Sequence, residues 1–209
     1  MRAVARALVA LHGAPVQYGP AAALGDEIES VRSHARNLTA VLPGLTGAIE
    51  PLVGLIEQRS ADVPAELARP SHGAFRPAQI RLNGRRVGLL DLDGFGQCEP
   101  GQDVGRFVGR LRLAALGTSK YSAPDLTARI DSGNRLAAAF LDGYRAEAPV
   151  SAVRVTLWET LDLLKTLQQS WSRVRPEQIT PVLTLLEHRA AELRPSDQFA
   201  RHASRAPVS

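Results

Sequence analysis

Residues 71–94 read SHGAFRPAQIRLNGRRVGLLDLDG, and this stretch decides the fold. At its centre Asn83-Gly84 separates Ile80-Arg81-Leu82 from Arg85-Arg86-Val87-Gly88-Leu89-Leu90. Asn and Gly both accept the positive φ that a tight hairpin turn demands, so this dipeptide between β-prone runs predicts two antiparallel strands. Asp91 closes the second strand, and a glycine-rich loop from Gly94 to Gly101 leads on to Asp103.

On either side of the hairpin the apolar residues recur at helical spacing. Val4, Leu8 and Leu11 mark a first helix that Gly13 and Pro15 stop, and residues 13–25 read as a loop. Asp26 is a candidate N-cap for a second helix with the stripe Ile28, Val31, Ala35, Leu38 and Leu42, ended by Pro43-Gly44. A third helix is expected from about Thr46 to Gln58, with Leu45, Ile49, Leu52 and Ile56 inward. After the hairpin come four stripes: Val104 to Leu111; Leu126, Ile130, Leu136, Phe140 and Tyr144, with Gly133 a possible interruption; Val153 to Trp171; and Ile179 to Leu193. Residues 1–194 therefore read as one mainly α domain with a small β-hairpin, and 195–209 as a frayed tail without periodicity.

The bulk composition excludes several classes. The 209 residues carry a formal charge of +4, from 25 basic and 21 acidic side chains, and lack the basic run that marks a nucleic-acid surface. Part of the excess sits at Arg194, Arg201 and Arg205. One cysteine, Cys98, permits no internal disulfide and reads as a packed thiol. No signal-peptide layout and no membrane-length apolar run is present, so a cytoplasmic protein without a nucleic-acid or membrane partner is expected. His12, His34, His188 and His202 are scattered and suggest no metal cluster.

Phosphoryl transfer to a hydroxyl needs few protein groups. A carboxylate orients the hydroxyl, and an amide and a second carboxylate hold Mg²⁺ against the phosphates. In protein kinases these lie on an Asp, an Asn five residues on, and an Asp beyond a hairpin. Here Ala74 and Gln79 have the five-residue spacing, and Asp91 and Asp93 follow the hairpin.

The segment from Ser71 to Leu111 resembles the His-Gly-Asp catalytic loop and metal loop of the aminoglycoside phosphotransferase and choline kinase-like family. The helix ending Ala10-Leu11-His12 resembles the segment that precedes this loop in the family. The resemblance is sharp over about 40 residues and loose over most of the chain. It implies the carboxy-terminal lobe of a kinase-like fold, ATP and Mg²⁺ as cofactors, and phosphorylation of an alcohol. By position, His72 and Gly73 match the motif, and Ala74 stands where the family has its catalytic Asp. Gln79 stands at the Mg²⁺-binding Asn and Asp91 at the metal-binding Asp. Asp93 matches the second acidic position. Asp103, in a Pro-x-x-Asp setting, matches the residue that braces the loops.

Two features of the family are missing from the sequence. Its small, sheet-rich amino-terminal lobe is not found ahead of His72, and the only lysines are Lys120 and Lys165, both downstream. Alanine at 74 cannot accept a proton, a loss worth about 10²–10⁴ in rate for a general base. The expected function is a truncated, catalytically impaired phosphotransferase-family protein; the alternative is a non-catalytic binding or interaction module on the same scaffold. Surface normally covered by the missing lobe would then serve a protein partner or self-association. Simpler roles stay open: Asp91 and Asp93 as exposed loop acids, Asp103 as an N-cap, His72 as a structural hydrogen-bonding residue, and Trp158 and Trp171 as core.

Overall fold

The computed structural model describes residues 1–84, 86–117 and 123–194. Helix α1 (Arg2–His12) is followed by α2 (Leu24–Val41) and α3 (Thr46–Asp62), then by strand β1 (Arg69–Ser71). Strands β2 (Ile80–Asn83) and β3 (Arg86–Leu89) form the hairpin expected around Asn83-Gly84, with Ile80 opposite Leu89 and Asn83 opposite Arg86. Strand β4 (Gly96–Cys98) precedes α4 (Pro100–Leu116), α5 (Ala123–Arg145), α6 (Ala152–Ser172) and α7 (Ile179–Leu193).

Two apolar cores hold these elements. One joins α2, α3, α6 and α7 through residues such as Ile49, Ile56, Leu161, Leu167 and Val182. The other joins α1, α4 and α5 through Leu8, Val104, Phe107, Phe140 and Tyr144, and takes in Phe75 from the loop before the hairpin. Phe75 stacks on Phe107 at 4.8 Å between ring centroids, and Phe107 lies 4.4 Å from Phe140. The loop is thus pinned to the helical core by its own aromatic residue. Ile80, Val87 and Leu89 turn one face of the hairpin onto the same core.

Helix α4 is the central strut, and its glycines let it approach its neighbours closely. A Cβ on Gly105 would stand 2.6 Å from the Val155 carbonyl oxygen of α6, so only glycine fits that crossing. The start of α4 is tied to α6 by Glu99, whose carboxylate pairs with Arg154 (Nε–Oε2 2.7 Å) and accepts from the Trp158 indole. Further along, Arg112 donates to the buried Glu159 at 2.6 and 2.5 Å. Burial drives the Glu159 carboxyl upward from its ordinary range, while Arg112 and Arg189 pull the other way.

Several expectations are corrected. Helix α2 starts at Leu24 after an extended Ala23, so Asp26 lies within the first turn, where its charge meets the helix dipole, and is no N-cap. Helix α3 runs on to Asp62 and carries Pro51 within it. Gly133 does not interrupt α5; a Cβ there would lie 3.0 Å from the Arg112 Cα, and the position serves close approach to α4. The loop from Gly94 to Gly101 contains β4, which pairs antiparallel with β1, and the first turn of α4. Leu136 and Trp171 are 38% and 41% exposed, whereas Trp158 is buried. The tail from 195 and Lys120 lie outside the described residues. Among the described residues, no helix is long and apolar enough to cross a membrane.

Candidate functional site

The loop from His72 to Gln79 is held on one side by a buried carboxylate. Asp103 sits in the first turn of α4, whose N-cap is Glu99, so the capping role does not fall to it. Its side chain is fully buried. Asp103 Oδ2 accepts the His72 backbone N–H at 2.6 Å, and Oδ1 accepts the Gly73 N–H at 2.9 Å. Bonds from two amides to one carboxylate are charge-assisted and stronger than neutral ones. Gly73 has φ +75°, and a Cβ on it would meet the Gly94 carbonyl oxygen at 1.9 Å; the turn requires glycine.

Behind Asp103 stands His12, the last residue of α1. Its Nε2 lies 3.3 Å from Asp103 Oδ2, and its Nδ1 lies 2.7 Å from the Tyr144 hydroxyl of α5. With the carboxylate as acceptor, Nε2 carries the hydrogen and the tyrosine hydroxyl donates to Nδ1. Burial, aided by the Glu66 and Asp103 carboxylates, pushes the Tyr144 hydroxyl pKa up and keeps it protonated. His72, also fully buried, places Nε2 2.9 Å from the Leu90 carbonyl at the end of the hairpin. Arg106 donates through Nη1 to the Gly73 carbonyl and through Nε to Asp162 of α6 at 2.9 Å. Arg110 shares the same carboxylate, 2.9 Å from Nε to Oδ2.

The other side of the loop is open to solvent. Gln79 is 4% exposed, and its Nε2 donates to Asp91 Oδ2 at 2.6 Å. Gln79 Oε1 is buried and has no partner. Asp91, one of two non-glycine residues with positive φ among those described, adopts φ 62° and ψ 61°. A non-glycine residue held there is strained and recurs at binding sites. Arg76 Nη2 lies 3.9 Å from the same Asp91 Oδ2, both side chains being about half exposed. The turn after Asp91 lies over the loop; a Cβ on Gly94 would stand 3.6 Å from the Ala74 Cβ. Asp93 stands exposed in that turn, apart from the Gln79–Asp91 pair.

The structure therefore brings His72, Gly73 and Asp103 together, and separately Gln79 and Asp91, with Ala74 between the two groups in sequence. His12, Tyr144, Arg106 and Asp162 escaped the sequence reading, because they join the loop from elements far away along the chain. The one available signal was the place of His12 at the end of its helix.

Mg²⁺ takes oxygen ligands at short, near-octahedral geometry. Gln79 presents its N–H, not its carbonyl oxygen, to Asp91, and a guanidinium already faces the carboxylate. Among the described residues, no group of three or more His, Cys, Asp or Glu gathers at a metal-holding distance. As arranged, these side chains do not fit a protein-held Mg²⁺ ion.

No protein-family model matches the chain, and no curated protein matches it. Solved structures do. A glucosamine kinase in complex with glucosamine, ADP and inorganic phosphate superposes with TM-score 0.63 at 18% identity, over 81% of this chain and 48% of the other. A choline/ethanolamine kinase family protein from Mesorhizobium loti gives 0.61 at 16% identity, over 97% and 64%. Choline kinase from Streptococcus pneumoniae gives 0.59 at 14% identity, over 91% and 63%. The chain spans between about half and two-thirds of the length of these proteins. Its mainly helical fold, with the small hairpin at the loop, is shared with a part of these kinase structures.

Proposed function

We propose that this chain is a phosphotransferase-type scaffold of the small-molecule kinase kind, catalytically impaired at its reactive centre. One observation carries this reading. The loop is braced as a catalytic loop needs, with Asp103 gripping His72 and Gly73, yet its reactive position is Ala74. Alanine neither accepts nor orients a proton, and losing a general base costs about 10²–10⁴ in rate. Residues 1–71, ahead of the loop, contain no lysine. Lys165, the one lysine among the described residues, pairs with Glu27 at 2.6 Å. In this reading the chain is the helical part of a longer kinase-like architecture, and ATP is the nucleotide to test.

Exposed apolar side chains favour a second role, as an interaction module. Leu82, Leu90 and Leu92 stand exposed on and beside the hairpin, and Tyr18 lies exposed against Phe95 near β4. Exposed apolar groups of this kind suit a protein partner or self-association. Sedimentation of the natural chain against a Leu82→Ser, Leu92→Ser double variant tests this; a natural chain that stays monomeric at high concentration speaks against self-association.

The activity itself is tested by coupled ATPase and acceptor-phosphorylation assays on the natural chain, Ala74→Asp and Asp91→Ala. The expected result is no useful turnover by the natural chain and little recovery in Ala74→Asp, because positioning and charge neutralisation carry most of phosphoryl transfer. Robust turnover by the natural chain that vanishes in Asp91→Ala overturns the reading.

A further inference from the structure

Asp91 holds a strained left-handed backbone at the mouth of the loop, the kind of outlier from which a binding role can be argued. Its carboxylate is already engaged by two nitrogen donors from the loop itself. Gln79 Nε2 donates to Oδ2 at 2.6 Å, and the Arg76 guanidinium faces the same oxygen at 3.9 Å. The oxygen of the Gln79 amide is buried without a partner. For a divalent cation to sit between the two side chains, the amide has to turn over and the guanidinium has to leave. Each change is unfavourable: the first breaks a charge-assisted bond, and the second sets an arginine beside a cation.

We propose that Arg76 takes the place of a bound divalent cation at Asp91, and that phosphate-bearing ligands bind here without Mg²⁺. The guanidinium is planar and permanently charged, and its fork of N–H donors matches phosphate oxygens two at a time. Its half-exposed position leaves donors free to turn outward to a ligand, while the Gln79 N–H holds the Arg76 backbone carbonyl at 2.9 Å. The nucleotide part of this proposal rests on the phosphotransferase reading of the loop; the metal part rests on the Arg76–Asp91–Gln79 arrangement alone.

Two titrations test the parts separately. The first uses Mn²⁺ alone, followed by electron paramagnetic resonance, on the natural chain, Asp91→Asn, Arg76→Gln, Arg76→Lys and Arg76→Gln with Asp91→Asn. The natural chain and Arg76→Lys are expected to bind Mn²⁺ weakly. Arg76→Gln tightens binding at least about tenfold, and the added Asp91→Asn abolishes the gain. Micromolar Mn²⁺ binding by the natural chain that disappears in Asp91→Asn overturns the metal part and leaves the phosphotransferase reading standing. So does an Arg76→Gln variant with unchanged Mn²⁺ affinity.

The second titration measures ADP binding by calorimetry, once in chelator and once in Mg²⁺. ADP is expected to bind the natural chain at least as tightly in chelator, and Arg76→Gln to weaken that binding at least about tenfold. Binding that requires Mg²⁺ overturns the proposal and keeps the nucleotide site. Absence of ADP binding in both solutions overturns the phosphate part and leaves the impaired scaffold reading, which turnover assays test separately. Because Arg76 is a half-exposed loop side chain, its variants should fold, and a circular dichroism melt for each confirms that before titration.

Discussion

The two flanks of the loop at residues 72–79 are built differently. On the Asp103 flank the central groups are buried and matched: the carboxylate serves two loop amides and His12, and His12 in turn meets Tyr144. On the Asp91 flank the two charged side chains, Asp91 and Arg76, are half open to water, Ala74 offers no functional group, and the arginine faces the acid that accepts from the buried Gln79 amide. The buried flank shapes the loop, and the open flank is where chemistry would occur. Shape depends on a few buried interactions that are costly to lose, whereas an exposed side chain changes at little cost in stability. A scaffold can therefore keep the shape of such a loop while the exposed side chains on it vary.

The sharpest way to break this contrast is to remove the buried carboxylate. Asp103→Ala leaves two loop amides and His12 without their acceptor, and a loss of about 3–5 kcal/mol is expected in urea unfolding, since each buried donor left unsatisfied costs about 1–3 kcal/mol. His12→Phe leaves Tyr144 and Asp103 each short of a partner and is expected to cost about 1–3 kcal/mol by the same measurement.

Cys98, on β4 beside this flank, gives a pH signature. Burial raises its thiol to about 12, above the usual thiol range. The folded state therefore binds the proton more tightly than the unfolded chain. The stabilisation is full below the ordinary thiol pKa and is lost as pH rises from there toward 12. Relative to Cys98→Ala, the natural chain should lose up to about 1.4 kcal/mol per pH unit in that window, read by unfolding at pH 8, 9 and 10. At pH 8 its reaction with a thiol reagent should keep pace with unfolding. Asp91→Asn sits at the other extreme: on the open flank it should change stability by no more than about 0.5 kcal/mol. An Asp91→Asn loss comparable to that of Asp103→Ala would erase the distinction between the flanks.

Much of this was legible in the sequence because it is local. Asn83-Gly84 announces the hairpin through its turn chemistry, and Ala74 and Gln79 keep a readable five-residue spacing. Apolar periodicity located the helices, although Leu136 on its stripe proved exposed. Other features are not local. Strands β1 and β4 are three residues each, Arg-Pro-Ser and Gly-Gln-Cys, too short and mixed to show a period of two. Asp103 before an apolar stripe resembles an N-cap, and only the folded chain shows its oxygens turned to residues 72 and 73. The His12–Tyr144 contact joins residues 132 positions apart, and no spacing rule reaches that far. Helix α3 outran its expected end at Gln58 through Arg59-Ser60-Ala61-Asp62, which add no large apolar residue to the stripe that located it.

Amide hydrogen exchange of His72 and Gly73 tests the central contrast most directly. Both amides should be strongly protected in the natural chain, lose that protection in Asp103→Ala under conditions where α6 stays folded, and keep it in Asp91→Asn. Free exchange of both amides in the natural chain, or equal loss of protection in Asp91→Asn, would contradict a loop held from its buried side alone.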